Sequence, residues 1–198
     1  MRIISGELRG RRVEAPPGRG TRPMLDRVRE AMFSTLGPGI DGALALDLFA
    51  GSGSLGLEAI SRGATLARFV EHDARVASLL ARNAEELGVD GRADVRQGDA
   101  LSSACWEAPE GEPDRWADVI FLDPPYPWLS DERRGPLFAA VPELATTVLR
   151  PGGLLVFHTP RRGTEERDFP GHLEPDQRIY GGSALWYLRG PAQEEAEA

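Results

Sequence analysis

Apolar runs along the chain predict strands separated by helical stripes. Leu44-Ala45-Leu46-Asp47-Leu48-Phe49 reads as a buried strand carrying one carboxylate, and Leu66–Val70, Ala93–Arg96, Val119–Leu122 and Leu154–Phe157 read as four more. A helix starting at Thr21 or Asp26 would turn Leu25, Val28, Met32 and Leu36 inward. A second helical stretch runs through Ile60 to Arg62. Asp73 caps a third, with Val76, Leu79, Leu80, Ala84 and Leu87 inward and Gly88 as its stop. A fourth covers about residues 136–149, before Pro151-Gly152-Gly153 turns into the next strand. Arg178–Gly182 and Ala184–Leu188 form a closing hairpin. This alternation predicts an α/β fold: a mostly parallel twisted sheet, helices on both faces and an antiparallel C-terminal edge. Short alternating segments at Arg2–Ser5 and Leu8–Val13 predict a small N-terminal β-hairpin. The expected organisation is a hairpin arm over 1–20, one domain over 21–190 and a disordered acidic tail over 191–198.

Two strand ends carry candidate chemistry. The first strand runs into Ala50-Gly51-Ser52-Gly53-Ser54-Leu55-Gly56 and then a helix. Strand, glycine-rich turn and helix open a Rossmann-like ligand cradle, because glycine lets the backbone approach a ligand closely. Dinucleotide sites share that pattern, but Asp47 stands where they usually carry an apolar residue. A carboxylate there suits a cationic ligand such as S-adenosylmethionine (SAM) better than a pyrophosphate. Glu71 ends the second strand about 20 residues past the glycine turn, the spacing of a ribose-binding acid. Asp99 follows the third strand and is placed to accept from an adenine amine.

Asp123-Pro124-Pro125-Tyr126 follows the strand Val119–Leu122. The carboxyl ends of strands are where open α/β sheets bind ligands. Two prolines stiffen the loop, and neither has an N–H to donate. A carboxylate, an exposed carbonyl and an aromatic face at one spot suit a planar group bearing an NH2. Asp123 and the Pro124 carbonyl would accept its two hydrogens while Tyr126 stacks on its ring.

Asp47 to Gly53, Glu71, Asp99 and Asp123 to Tyr126 together resemble the class I SAM-dependent methyltransferases that act on exocyclic or amide nitrogens. Met1-Arg2-Ile3-Ile4-Ser5-Gly6, Arg9 to Arg12, Thr21-Arg22-Pro23 and Asp26 to Phe33 resemble the RsmD family of bacterial small-subunit (16S) rRNA (guanine-N2)-methyltransferases, and the likeness runs to about Leu188. The chain departs from that family at Met24, where threonine is usual, and in an irregular stretch over Ser102 to Trp116 expected to be a surface loop. The resemblance implies that Asp47, Phe49, Gly51, Ser52, Gly53, Glu71 and Asp99 hold SAM, which would leave as S-adenosylhomocysteine. It makes Asp123, Pro124 and Tyr126 the catalytic loop. The implied substrate is small-subunit rRNA, free or within an assembling ribosomal subunit.

Charge adds a direction of approach. The chain has 198 residues and a net charge of -8. Its first 30 residues hold eight arginines against four acids, a local +4, and every basic residue is arginine. Arg9, Arg11, Arg12, Arg22 and Arg27 are the candidates for phosphate contacts. The single cysteine, Cys105, excludes an internal disulfide and fits a cytoplasmic location. His72, His158 and His172 lack metal-ligand spacing, so no metal is expected. No apolar run approaches the roughly 18 residues of a membrane span, and nothing predicts an obligate dimer, so a monomer is expected. Rival readings are an adenine-N6 or cytosine-N4 nucleic-acid methyltransferase, a protein-glutamine methyltransferase, and a non-catalytic RNA-binding assembly factor. A NAD-dependent oxidoreductase would leave Asp123 to Tyr126 without a role.

Overall fold

The computed structural model describes residues 1–16, 24–130 and 132–191. The chain divides into two compact units, Met1–Ala100 and Leu101–Ala198. The predicted Arg22 contact and residues 192–198 of the predicted tail lie outside the described residues.

The first unit is built on three parallel strands, β1 (Leu44–Leu48), β2 (Leu66–Glu71) and β3 (Ala93–Gln97). β2 lies between the other two, with Leu48 beside Val70 and Glu71 beside Gln97. Every residue of β1 is buried, Asp47 included. α1 (Asp26–Leu36) buries Val28, Arg29, Met32 and Phe33. Leu25, assigned above to the inward stripe, instead precedes this helix and is 57% exposed. α2 (Ser54–Ser61) is one residue longer than two turns, and Leu55 to Ser61 are all buried. Gly56 lets it press on β2, since a Cβ there would stand 2.2 Å from the Phe69 ring. α3 (Ala74–Leu87) follows its predicted signals. Asp73 accepts from the N–H groups of Arg75 and Val76, and Gly88 ends the helix at φ +75°.

The second unit contains β4 (Ala117–Leu122), β5 (Leu149–Pro160), β6 (Asp176–Tyr180) and β7 (Ser183–Arg189). β4 and β5 are parallel, β7 runs antiparallel to β5, and β6 closes a hairpin on β7. The mostly parallel pairing with an antiparallel C-terminal edge is the one the alternation predicted. α4 (Arg134–Thr147) ends two residues before the expected limit, and β5 begins at Leu149, well before the Gly152-Gly153 turn. The stretch Ser102 to Trp116 is more than a surface loop. It buries Trp106 and Trp116, whose indole N–H donates to the Trp106 carbonyl at 2.8 Å. Pro191, placed in the tail by composition, is buried and its carbonyl accepts from Arg115 at 3.0 Å. No helix among the described residues is long and apolar enough to cross a membrane.

Candidate active site

In the first unit the residues expected to hold SAM gather at the carboxyl ends of three parallel strands. Chain direction brings them there, because parallel neighbours end on the same side. Phe49 leaves β1 at φ +62°, a left-handed conformation that is strained for a bulky residue. Gly51 follows at φ +57° with open space where a Cβ would stand, so the turn presents bare backbone. Its N–H donates to Glu71 Oε2 at 2.9 Å, and Glu71 Oε1 accepts from the Asp73 N–H at 2.9 Å. Glu71 thus anchors the turn, and each carboxylate oxygen keeps a second lone pair for a hydroxyl. The Gly98 N–H donates to the Glu71 carbonyl at 3.0 Å, which sets exposed Asp99 one residue from the end of β2. Buried Asp47 accepts from the Gly56 N–H at 2.9 Å through Oδ2, tying the strand to the first turn of α2. The bare turn and the acid beside it fit the methionine and ribose parts of SAM.

The N-terminal arm is a turn closed by one antiparallel bridge between Arg2 and Arg12. It is joined to the helices of its own unit. Fully buried Glu58 accepts from the N–H groups of Ile4 at 2.8 Å and Ser5 at 3.0 Å, and from Arg62 Nε at 2.8 Å. The Ser61 hydroxyl donates to the Ser5 carbonyl at 2.5 Å and accepts from the Leu8 N–H at 3.0 Å. Gly6 comes so near that a Cβ would lie 1.7 Å from the Ser61 carbonyl oxygen. Asn83 of α3 exchanges two hydrogen bonds with the Glu14 backbone and donates a third to the Ser52 carbonyl at 3.2 Å, connecting arm to glycine turn. Arg29, buried beneath the arm, donates to the Arg2 carbonyl at 2.7 Å. Burial pulls its pKa down against the opposing pull of Glu58 and Asp26. Arg9, Arg11, Arg12 and Arg27 are exposed. Arg11 also donates to the Glu86 carbonyl at 2.6 Å.

In the second unit Asp123 follows β4, and its partner comes from the neighbouring strand β5. The parallel register sets Leu122 beside Phe157, so the next rung brings Asp123 to His158. His158 Nδ1 donates to Asp123 Oδ1 at 2.7 Å. Its Nε2 meets the Tyr126 hydroxyl at 3.3 Å, and that hydroxyl lies 3.3 Å from Ser183 Oγ. Tyr126 is 42% exposed, and its ring centroid lies 5.6 Å from that of His158. Asp123 Oδ2 and the Pro124 carbonyl carry no hydrogen bond among the described residues. Among the described residues the loop thus holds two acceptors without a partner beside an exposed tyrosine, and Pro124 itself is buried, against the expectation of an exposed carbonyl.

Sequence reasoning missed Glu58, Ser61, Asn83 and His158. The first three sit on helices whose apolar neighbours dominate the pattern. The spacing of the histidines tests His158 only as a metal ligand. Aligning the carboxyl ends of the two apolar runs would have set it next to Asp123.

The fold is the Rossmann-like fold of class I methyltransferases. An Escherichia coli structure described as "Putative methyltransferase yhhF" superposes with a TM-score of 0.77 at 32% identity, over 98% of this chain and 99% of that one. The chain belongs to the family described as Conserved hypothetical protein 95, whose model matches residues 1–189. It is 44% identical to Ribosomal RNA small subunit methyltransferase D of Escherichia coli K12 over 126 residues, 64% of this chain and 60% of that protein. The match to the Haemophilus influenzae protein of the same name is 40% over 129 residues, 64% of each chain. The matched stretch thus spans under two thirds of these two relatives' length.

Proposed function

We propose that this chain transfers a methyl group from SAM to the exocyclic N2 of a guanine in small-subunit rRNA. Family membership supports the substrate class, through relatives named for small-subunit rRNA methylation. One observation carries the chemistry: Asp123 is held by one oxygen, and its other oxygen and the Pro124 carbonyl are unengaged among the described residues, beside the exposed Tyr126.

A guanine amine is a weak nucleophile because its lone pair is delocalised into the ring. Asp123 Oδ2 and the Pro124 carbonyl accept its two hydrogens and turn the lone pair out of conjugation. This is orientation joined to electrostatic stabilisation. Tyr126 stacks the base, worth about 1–3 kcal/mol and enough to offset much of its unstacking. When bound, SAM supplies the electrophilic methyl on a sulfonium centre. The N–C bond would form as the S–C bond breaks and S-adenosylhomocysteine leaves, and Asp123 would take the proton that N2 then has in surplus. In the first unit Gly51 to Gly53 present backbone to the methionine end, Glu71 accepts from the ribose hydroxyls and Asp99 from the adenine amine. Asp47 adds a buried negative charge near a cationic ligand, and Phe49 lines the turn. Arg9, Arg12 and Arg27 contact phosphate, with Arg11 and Arg22 beside them in the sequence. The same reading has the enzyme working as a cytoplasmic monomer on rRNA, free or in an assembling subunit.

The test is methyl transfer from labelled SAM to unmodified small subunits, naked small-subunit rRNA and duplex DNA, followed by nucleoside analysis. Label is expected in N2-methylguanosine. Label in adenine or cytosine would overturn the substrate, and none in any nucleic acid would favour a protein substrate or an assembly role. Asp123→Ala is expected to lower turnover by about 10²–10⁴-fold with SAM binding intact by calorimetry. Turnover near that of the parent protein would remove Asp123 from the chemistry.

A further inference from the structure

We infer that His158 is the positioning residue that sets both the reacting carboxylate and the stacking ring, an inference that rests on the methyl-transfer reading above. His158 lies on β5, its side chain 5% exposed, yet neither ring nitrogen bonds to the strands around it. Both face the loop. Nδ1 holds Asp123 Oδ1 at 2.7 Å, and Nε2 meets the Tyr126 hydroxyl at 3.3 Å. An ionised carboxylate only accepts, so Nδ1 carries a proton. In the neutral tautomer Nε2 then accepts from Tyr126, whose oxygen in turn accepts from Ser183.

The consequence is geometric. A free aspartate at a strand end rotates about two bonds and offers either oxygen. With Oδ1 pinned, the carboxylate is held in a fixed plane and Oδ2 presents both its lone pairs to the amine. The same imidazole fixes the far end of Tyr126, so the acceptor for the amine and the platform for the ring share one rigid post. Methyl transfer needs a lone pair aimed along the sulfur–carbon axis, and misplacement by about 1 Å is enough to cost about 10²-fold. A buried polar residue with only an architectural role would instead act through stability, and equally on every kinetic constant.

Two amide replacements separate the two ring nitrogens. His158→Asn keeps a donor near the Nδ1 position. His158→Gln reaches towards the Nε2 position and offers Asp123 no donor. Single-turnover and steady-state methylation of unmodified small-subunit rRNA would be measured beside SAM calorimetry and thermal melting. His158→Ala is expected to lower kcat by about 10–100-fold while SAM affinity stays within about twofold. His158→Asn should recover most of that loss, and His158→Gln should stay near the alanine variant in kcat. The inference is overturned if His158→Ala keeps wild-type kcat while Asp123→Ala is inactive. It is also overturned if His158→Asn melts like the parent and yet turns over no faster than His158→Ala. Activity in Asp123→Ala would instead bring down the underlying assignment of the loop, and this inference with it.

Discussion

The two units hold their key carboxylates in opposite ways. In the first, Glu58 and Glu71 spend both oxygens on backbone N–H groups, Glu58 on Ile4 and Ser5, Glu71 on Gly51 and Asp73. In the second, Asp123 spends one oxygen on a side chain and keeps the other. A carboxylate with a backbone donor on each oxygen fixes a loop in place and shapes a pocket. One held by a single imidazole is fixed in direction and still has an acceptor to offer. Removing the first kind should therefore affect folding or ligand affinity, whereas removing Asp123 should affect turnover.

Glu58→Ala gives the largest expected effect on stability. It leaves two backbone N–H groups and the Arg62 guanidinium without their acceptor at a fully buried site. Breaking such a pair destabilises by about 3–5 kcal/mol. The urea midpoint should fall accordingly with an unchanged slope. Asp123→Ala leaves only the His158 donor unpaired, and its unfolding free energy should drop by no more than about 3 kcal/mol. Equal losses in the two variants would erase the distinction between the units.

Glu71→Gln ranks next. The amide retains one acceptor and turns a donor towards either Gly51 or Asp73, so one of the two N–H groups loses its bond. SAM affinity by calorimetry should fall about tenfold, roughly 1.4 kcal/mol. Maximal turnover at saturating SAM should stay near wild type. A fall in kcat with unchanged SAM affinity would move Glu71 to the chemical step and again blur the comparison.

The contrast also explains what was legible in the sequence. The glycine turn, Glu71 and the Asp73 cap declare themselves because their partners are set by local geometry: a strand end, a left-handed glycine, the first turn of a helix. Asp123 to Tyr126 could be read as a loop with acceptors and a ring for the same reason. The partner of Asp123 could not, because the register of β4 against β5 is decided by packing over the whole unit, 35 residues apart in sequence. Leu25 shows the same limit at smaller scale. It fits the helical spacing, but the helix begins one residue later and leaves it in solvent. Trp106 and Trp116 show it again, since proline and glycine around them suggest a loose loop while their indoles are buried.

The arm tests the comparison most gently. Its backbone is fixed by Glu58, Ser61 and Asn83, but the side chains of Arg9 and Arg12 point into solvent and make no ion pair among the described residues. Anchored backbone with free cations is what a phosphate-contacting edge requires, since the docking is already paid for in folding. Replacing Arg9 and Arg12 together by alanine should change the unfolding free energy in urea by no more than about 0.5 kcal/mol. The slope of log affinity for small-subunit rRNA against log salt should shrink by about 1.4–1.8, the release expected for two phosphates. An unchanged slope would show that these arginines do not touch RNA. A stability loss as large as that of Glu58→Ala would show that the arm depends on its charges to dock. Separating those two outcomes matters because Glu58→Ala should weaken RNA binding as well, by loosening the arm that carries the charges. If the double arginine variant loses the salt slope and keeps its fold, the arm's anchoring and its electrostatics are independent devices.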